Sequence, residues 1–143
     1  MASKKARKRK QVIMLSIKPE YSSKIKSKTK TVELRKRIPK VMPDVILVYE
    51  SAPTKCLSYA VRVTHVHSAS VPELWKQVGS VSGITKKEFY AYFGERPKGF
   101  AYGLQKILDL PKQFSREDLL SQGIFPPQDY CFVPEAFADD LLD

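Results

Sequence analysis

The sequence predicts an α+β fold: a small mixed β-barrel with short helices closing its ends. Three observations point there. Five or six runs with strand character are interspersed with short helical segments along the chain rather than grouped in blocks. No glycine-rich strand-to-helix crossover occurs, which argues against a doubly wound sheet. The 143 residues suffice for one hydrophobic core but not two, and residues 12–134 are expected to form it.

The elements follow from local pattern. Residues 12–17 (Val-Ile-Met-Leu-Ser-Ile) read as a buried strand, and Pro19 suits the first turn of a helix reaching about residue 26. Tyr21 and Ile25, four apart, share one face of it. In Lys28-Thr29-Lys30-Thr31-Val32-Glu33-Leu34-Arg35 the alternation predicts a strand with Val32 and Leu34 on one side and Thr31, Glu33 and Arg35 on the other. A Pro-bounded loop spans residues 38–43, and the apolar run at 44–49 suits a central strand. A long strand covers residues 55–67. The second helix starts near Pro72 with Ser70 as its cap; the third, 86–93, is capped by Thr85 and ended by Gly94. A strand at 100–108, a short helix opened by Ser115 and closed by Gly123, and a last strand at 130–133 complete the domain. Residues 1–11 read as a disordered basic arm, lacking the apolar area that would offset chain entropy, and residues 135–143 as a short acidic tail.

Charge is distributed unevenly. Residues 1–40 hold 15 Lys and Arg against Glu20 and Glu33, whereas residues 41–143 hold 10 against 13 acids, within a net charge of +10. Such a field favours a polyanion, because neutralised phosphates release condensed counterions. Nucleic acid or a nucleotide is the expected partner. A membrane is not expected, since no apolar anchors interleave the arm's cations, and the chain offers nothing that names a protein partner. Cys56 and Cys131 lie far apart in strand-like contexts and read as packing residues. With no secretory signal, a cytoplasmic site is expected, or a nuclear one if the source is eukaryotic.

Several constellations carry chemistry. Lys30, Glu33 and Arg35 place two cations and a carboxylate together, able to hold a phosphate while Glu33 accepts from an amino or imino N–H; a solvated strand face is the plainer reading. His65 and His67 point to one side of a strand, but no third ligand is near in sequence, so ordinary histidines are expected rather than a metal site, and no cofactor is expected. Of the aromatic residues, Trp75, Phe89, Tyr90, Tyr92, Phe93, Phe100 and Tyr102 fall mostly at core spacing. Tyr21 and Tyr130 are better candidates for stacking a base, and Gln128 can read a base edge through its amide.

The run Met14-Leu15-Ser16-Ile17-Lys18-Pro19-Glu20-Tyr21 followed by Lys30-x-x-Glu33-x-Arg35 resembles the opening of an ASCH domain, a PUA-like family with the signature G-x-K-x-x-E-x-R. Two further blocks are similar to the same family in the right order: Gly83 to Phe89 with Tyr92-Phe93-Gly94 and Gly99 to Leu104, then Pro126-Pro127-Gln128-Asp129-Tyr130. The resemblance spans roughly residues 12–133 and implies a PUA-like barrel. Lys28 stands where the family has glycine; at a positive φ it would cost about 1 kcal/mol while adding charge at the cleft mouth. The family includes ribonuclease-like proteins and amidohydrolases of acetylated cytidine. The amidohydrolase branch has threonine at the place of Glu33 and its catalytic glutamate near Ser82, so that activity is not expected here.

The reading is therefore a nucleic-acid-binding protein, with RNA ahead of DNA, a regulatory role being one option. Its candidate residues are Lys18, Tyr21, Lys28, Lys30, Glu33, Arg35 and Gln128. One rival is a nuclease or modified-nucleoside hydrolase with Glu33 as general base and Lys30 stabilising the developing oxyanion. A third is a module whose cleft accepts an acidic protein segment.

Overall fold

The computed structural model describes residues 10–142. Seven strands form one mixed sheet: β1 (Val12–Ile17), β2 (Val32–Arg35), β3 (Val45–Glu50), β4 (Cys56–Ser70), β5 (Lys98–Leu108), β6 (Phe114–Ser115) and β7 (Tyr130–Phe132). The order is β2-β5-β4-β3-β1-β7, with β6 paired to β4. Only β1 and β3 run parallel, and the chain between them contains α1 (Pro19–Lys26) and β2. β3 is buried along its whole length, as expected of an apolar run in a central strand.

Alternation sends the side chains of each strand to two separate cores. Ile13, Leu15, Ile46, Val48, Tyr59, Val61 and Tyr102 pack inside the curl of the sheet, together with Ile25 of α1. Val12, Met14, Val45 and Leu47 face outward against α4 (Arg116–Ser121) and α5 (Glu135–Leu142). A third cluster covers β2 and β5: Val32, Leu34 and Ala101 lie under Leu74 and Val78 of α2 (Val71–Val78) and Phe89 and Phe93 of α3 (Lys86–Phe93). The expected faces of β2 hold, with Val32 and Leu34 in this core.

The sheet curls without closing by backbone pairing. Arginines bridge its two edges: from β2, Arg35 Nη2 donates to Ser16 O on β1 at 3.0 Å and Nη1 reaches Asp129 O beside β7 at 3.4 Å, while the exposed Arg37 Nη2 lies 3.4 Å from Asp129 Oδ2. The mixed barrel expected from the sequence is thus a curled half-barrel whose seam is closed chiefly by the buried Arg35.

Local capping chemistry sets the helix ends. Ser70, Thr85 and Ser115 each accept a backbone N–H in the first turn, and Thr85 with Glu88 and Ser115 with Asp118 form reciprocal capping boxes. The acidic-tail reading of residues 135–143 does not hold where the chain is described. Residues 135–142 form α5, with Phe137, Ala138 and Leu141 buried; their helical spacing makes an apolar stripe that a count of charges conceals. Residues 1–9, most of the expected basic arm, lie outside the described residues, while Gln11 is tied to the domain by its N–H to Asp44 Oδ2 at 2.8 Å.

Candidate functional site

The seam is also the floor of a cleft of about 400 Å³. β1 and the start of α1 give Ser16, Lys18 and Tyr21; β2 and its approach give Lys30, Glu33 and Arg35; α3 closes the far wall with Glu88, Ala91 and Tyr92. Such a volume falls in the usual range for a small-molecule site. A smaller groove of about 210 Å³ between β7 and α5 is lined by Lys10, Val12, Phe132, Glu135, Asp139 and Leu142 among others.

A helix end delivers Lys30. After α1 the chain turns through Lys28 at φ 67°, and the Thr29 and Lys30 amides both return to Lys24 O. This is the left-handed position at which the family signature has glycine; lysine keeps the turn at a cost of about 1 kcal/mol. Lys30 then points inward with 4% of its surface exposed, its ammonium donating to Ser82 O at 2.8 Å and standing 3.4 Å from Glu33 Oε1. Gly83 (φ 81°) lies so near that a Cβ there would sit 3.1 Å from the lysine stem.

Glu33, also buried, is shared between two cations: Oε1 faces Lys30, and Oε2 accepts from Arg35 Nη2 at 2.8 Å. Burial opposes the charge on Arg35, but the Glu33 carboxylate outweighs it and the guanidinium pKa rises above its ordinary value. By formal charge the triad sets two cations against one carboxylate, all three side chains largely buried at the floor of the cleft. Tyr21 stands over this charge, its ring centroid 5.9 Å from Lys30 Nζ. Tyr92, whose hydroxyl donates to Leu34 O at 3.2 Å, is the second aromatic residue of the lining. Burial raises the pKa of both phenols, so they remain neutral donors at physiological pH.

Of the expected site residues, Lys18, Tyr21, Lys30, Glu33 and Arg35 meet in the cleft. Lys28 and Gln128 are exposed and do not line it; Gln128 lies between two residues that touch its floor, Pro127 accepting from Ser16 Oγ and Asp129 from Arg35. Tyr130 is half-buried against the inner core rather than open for stacking. The Arg35 fork, expected to grip a ligand, is largely engaged by Glu33, Ser16 and Asp129. Sequence reasoning missed Ser16, Tyr92 and the Ser82 carbonyl as parts of the site. Tyr92 falls beside, not on, the Phe89–Phe93 stripe of α3, a signal that it faces elsewhere.

A second polar cluster anchors α1. Ser22 and Ser58 hydroxyls donate to the two oxygens of buried Glu50, Lys26 Nζ lies 3.0 Å away, and the Tyr59 hydroxyl meets Ser22 at 2.7 Å. Burial pushes the Tyr59 pKa up to about 12.

A family model described as the ASCH domain matches residues 15–117. The chain belongs to the ASCH domain family. This ASCH domain is 29% identical over 131 residues to a protein of Zymomonas mobilis subsp. mobilis named an ASCH domain-containing ribonuclease, the match covering 90% of this chain and 88% of that one. Crystal structures of the Zymomonas mobilis ASCH protein share the fold. One superposes with a TM-score of 0.82 at 22% identity, covering 91% of this chain and 92% of that one. A serine-to-alanine variant gives 0.80 at 24% identity, covering 91% and 94%. No helix among the described residues is long and apolar enough to cross a membrane.

Proposed function

We propose that this ASCH domain binds RNA, seating one nucleotide in the cleft so that its phosphate meets Lys30 and its base lies between Tyr21 and Tyr92. The observation that carries this reading is the buried triad, whose net positive charge sits at the floor of a nucleotide-sized, aromatic-walled pocket. A phosphate entering it gains an ion pair in a low-dielectric setting, where the Lys30 ammonium keeps a third N–H beyond those facing Ser82 and Glu33. Aromatic walls suit unstacked bases of single strands, the form in which RNA is read by sequence. The basic N-terminal residues add affinity that does not depend on sequence.

A second reading is RNA cleavage, favoured by the relative named a ribonuclease. In it Glu33 takes the proton of the ribose 2′-hydroxyl, that oxygen bonds to the neighbouring phosphorus as the P–O5′ bond breaks to give a 2′,3′-cyclic phosphate, the departing 5′-oxygen takes a proton from water, and Lys30 and Arg35 stabilise the charge on the non-bridging oxygens. Both Glu33 oxygens already face cations, Oε1 toward Lys30 and Oε2 accepting from Arg35, which leaves neither free to take a proton; binding is therefore the first reading. Incubating the protein with end-labelled single-stranded and duplex RNA and DNA, and recording bound fraction and product length together, decides between them. Preference for single-stranded RNA without product supports binding, metal-independent cleavage that needs the 2′-hydroxyl supports the second reading, and equal affinity for all four polymers refutes both.

A further inference from the structure

On the side of the sheet away from the cleft, β4 carries His65 and His67. His65 pairs with Gly103 of β5, and Gly103 in turn with Val32, whose side chain points opposite to Glu33. The two imidazoles meet edge to face, with their Nε2 atoms 2.7 Å apart. Each ring is also held from a second partner. The Thr64 hydroxyl lies 2.7 Å from His65 Nδ1 and 3.2 Å from Gly103 O. Gln77 of α2 hydrogen-bonds the His67 ring. Space for the pair comes from Gly103: a Cβ there would lie 2.7 Å from both His65 Cε1 and Thr64 Oγ. His65 is exposed and His67 partly so, leaving the Nε2 atoms within reach of solvent ions.

We propose that His65 and His67 form a chelating site for a divalent transition-metal ion that accepts ligands at right angles, Ni²⁺ or Cu²⁺. Imidazole nitrogens bind such ions at about 2.0 Å, so neighbouring ligands lie about 2.8 Å apart in a square-planar or octahedral shell but about 3.3 Å apart in a tetrahedral one. The 2.7 Å separation is nearer the first. Hydrogen bonds on the far side of a ligating ring are the usual means of orienting it. Among the described residues no group of three His, Cys, Asp or Glu side chains could hold an ion, so water completes the shell.

The test uses the untagged full chain, titrated calorimetrically with Ni²⁺ and, separately, with Zn²⁺ at pH 7.5, beside His65→Gln and His67→Gln. One Ni²⁺ per chain is expected, with affinity lowered about tenfold or more in each variant while circular dichroism is unchanged, and with Zn²⁺ binding more weakly than Ni²⁺. Should a glutamine variant fail to fold, Thr64→Val, which touches no ligand atom, should still weaken Ni²⁺ by about tenfold. Absence of Ni²⁺ binding, an affinity unmoved by these variants, or tighter binding of Zn²⁺ than of Ni²⁺ overturns the assignment.

Discussion

Replacing Glu33 with glutamine tests whether the cleft is a charge-compensated unit. Glu33 stands 3.4 Å from Lys30 Nζ and 2.8 Å from Arg35 Nη2, all three groups largely buried. At an effective dielectric of about 20 each attraction is worth roughly 5 to 6 kcal/mol before desolvation is counted. Removing the carboxylate recovers its own desolvation but leaves two buried cations facing each other, and loss of one partner of a buried pair costs about 3 to 5 kcal/mol. In a chain of this size that lowers Tm by roughly 10 °C or more. The isosteric amide still accepts one hydrogen bond, so the fold is expected to survive. An anion should then replace the missing charge: inorganic phosphate or an RNA oligonucleotide should raise Tm more in Glu33→Gln than in wild type. Differential scanning calorimetry with and without phosphate reads both effects. The same variant separates the two functional readings, because a lost general base reduces cleavage by roughly 10² or more, whereas a lost reader changes which nucleotide binds. A Tm within about 2 °C of wild type, or equal stabilisation of both proteins by phosphate, would refute the account of the triad.

Arg35→Lys keeps the charge but cannot serve Glu33, Ser16 and Asp129 at once; stability should fall by about 1 to 3 kcal/mol in urea denaturation, with RNA affinity falling alongside as the seam loosens. For Glu50, burial works against ionisation, but the Ser22 and Ser58 hydroxyls and the Lys26 ammonium prevail and hold its pKa below the usual value. A carboxyl depressed in the folded state contributes stability that is complete above its unfolded pKa, about 4.3, and is lost as pH falls through the lower folded value. Glu50→Gln should therefore flatten the stability profile below about pH 4.5, measured by denaturation at successive pH values. Deleting residues 1–10, which include six Lys and Arg from Lys4 to Lys10, should weaken RNA binding evenly across sequences. The plot of log affinity against log salt should flatten by roughly 0.7 to 0.9 per lost phosphate contact, and an unchanged slope would place the arm away from the RNA.

What the sequence determined by itself is local in origin. Backbone alternation put Val32 and Leu34 opposite Glu33 and Arg35, hydroxyl caps set the starts of α2, α3 and α4, and the apolar run of β3 marked a strand buried on both faces. These depend on side-chain direction and on hydrogen bonds within a few residues, which do not change with the rest of the fold. Lys30, Glu33 and Arg35 were legible for the same reason, being neighbours on one short segment. Tertiary structure alone decided how they are used. The Ser82 carbonyl meets Lys30 from 52 residues away, and Asp129 meets Arg35 from 94. The guanidinium thus became the chief tie between the sheet's two edges rather than a free fork. Residues 135–142 became a packed helix because an apolar floor from β1 and β3 was there to receive Phe137 and Leu141. Gly103 opened room beside His65 only once β5 had paired with β4. Contacts of this range depend on how the sheet curls, and that follows from the packing of three cores at once rather than from any single stretch of chain.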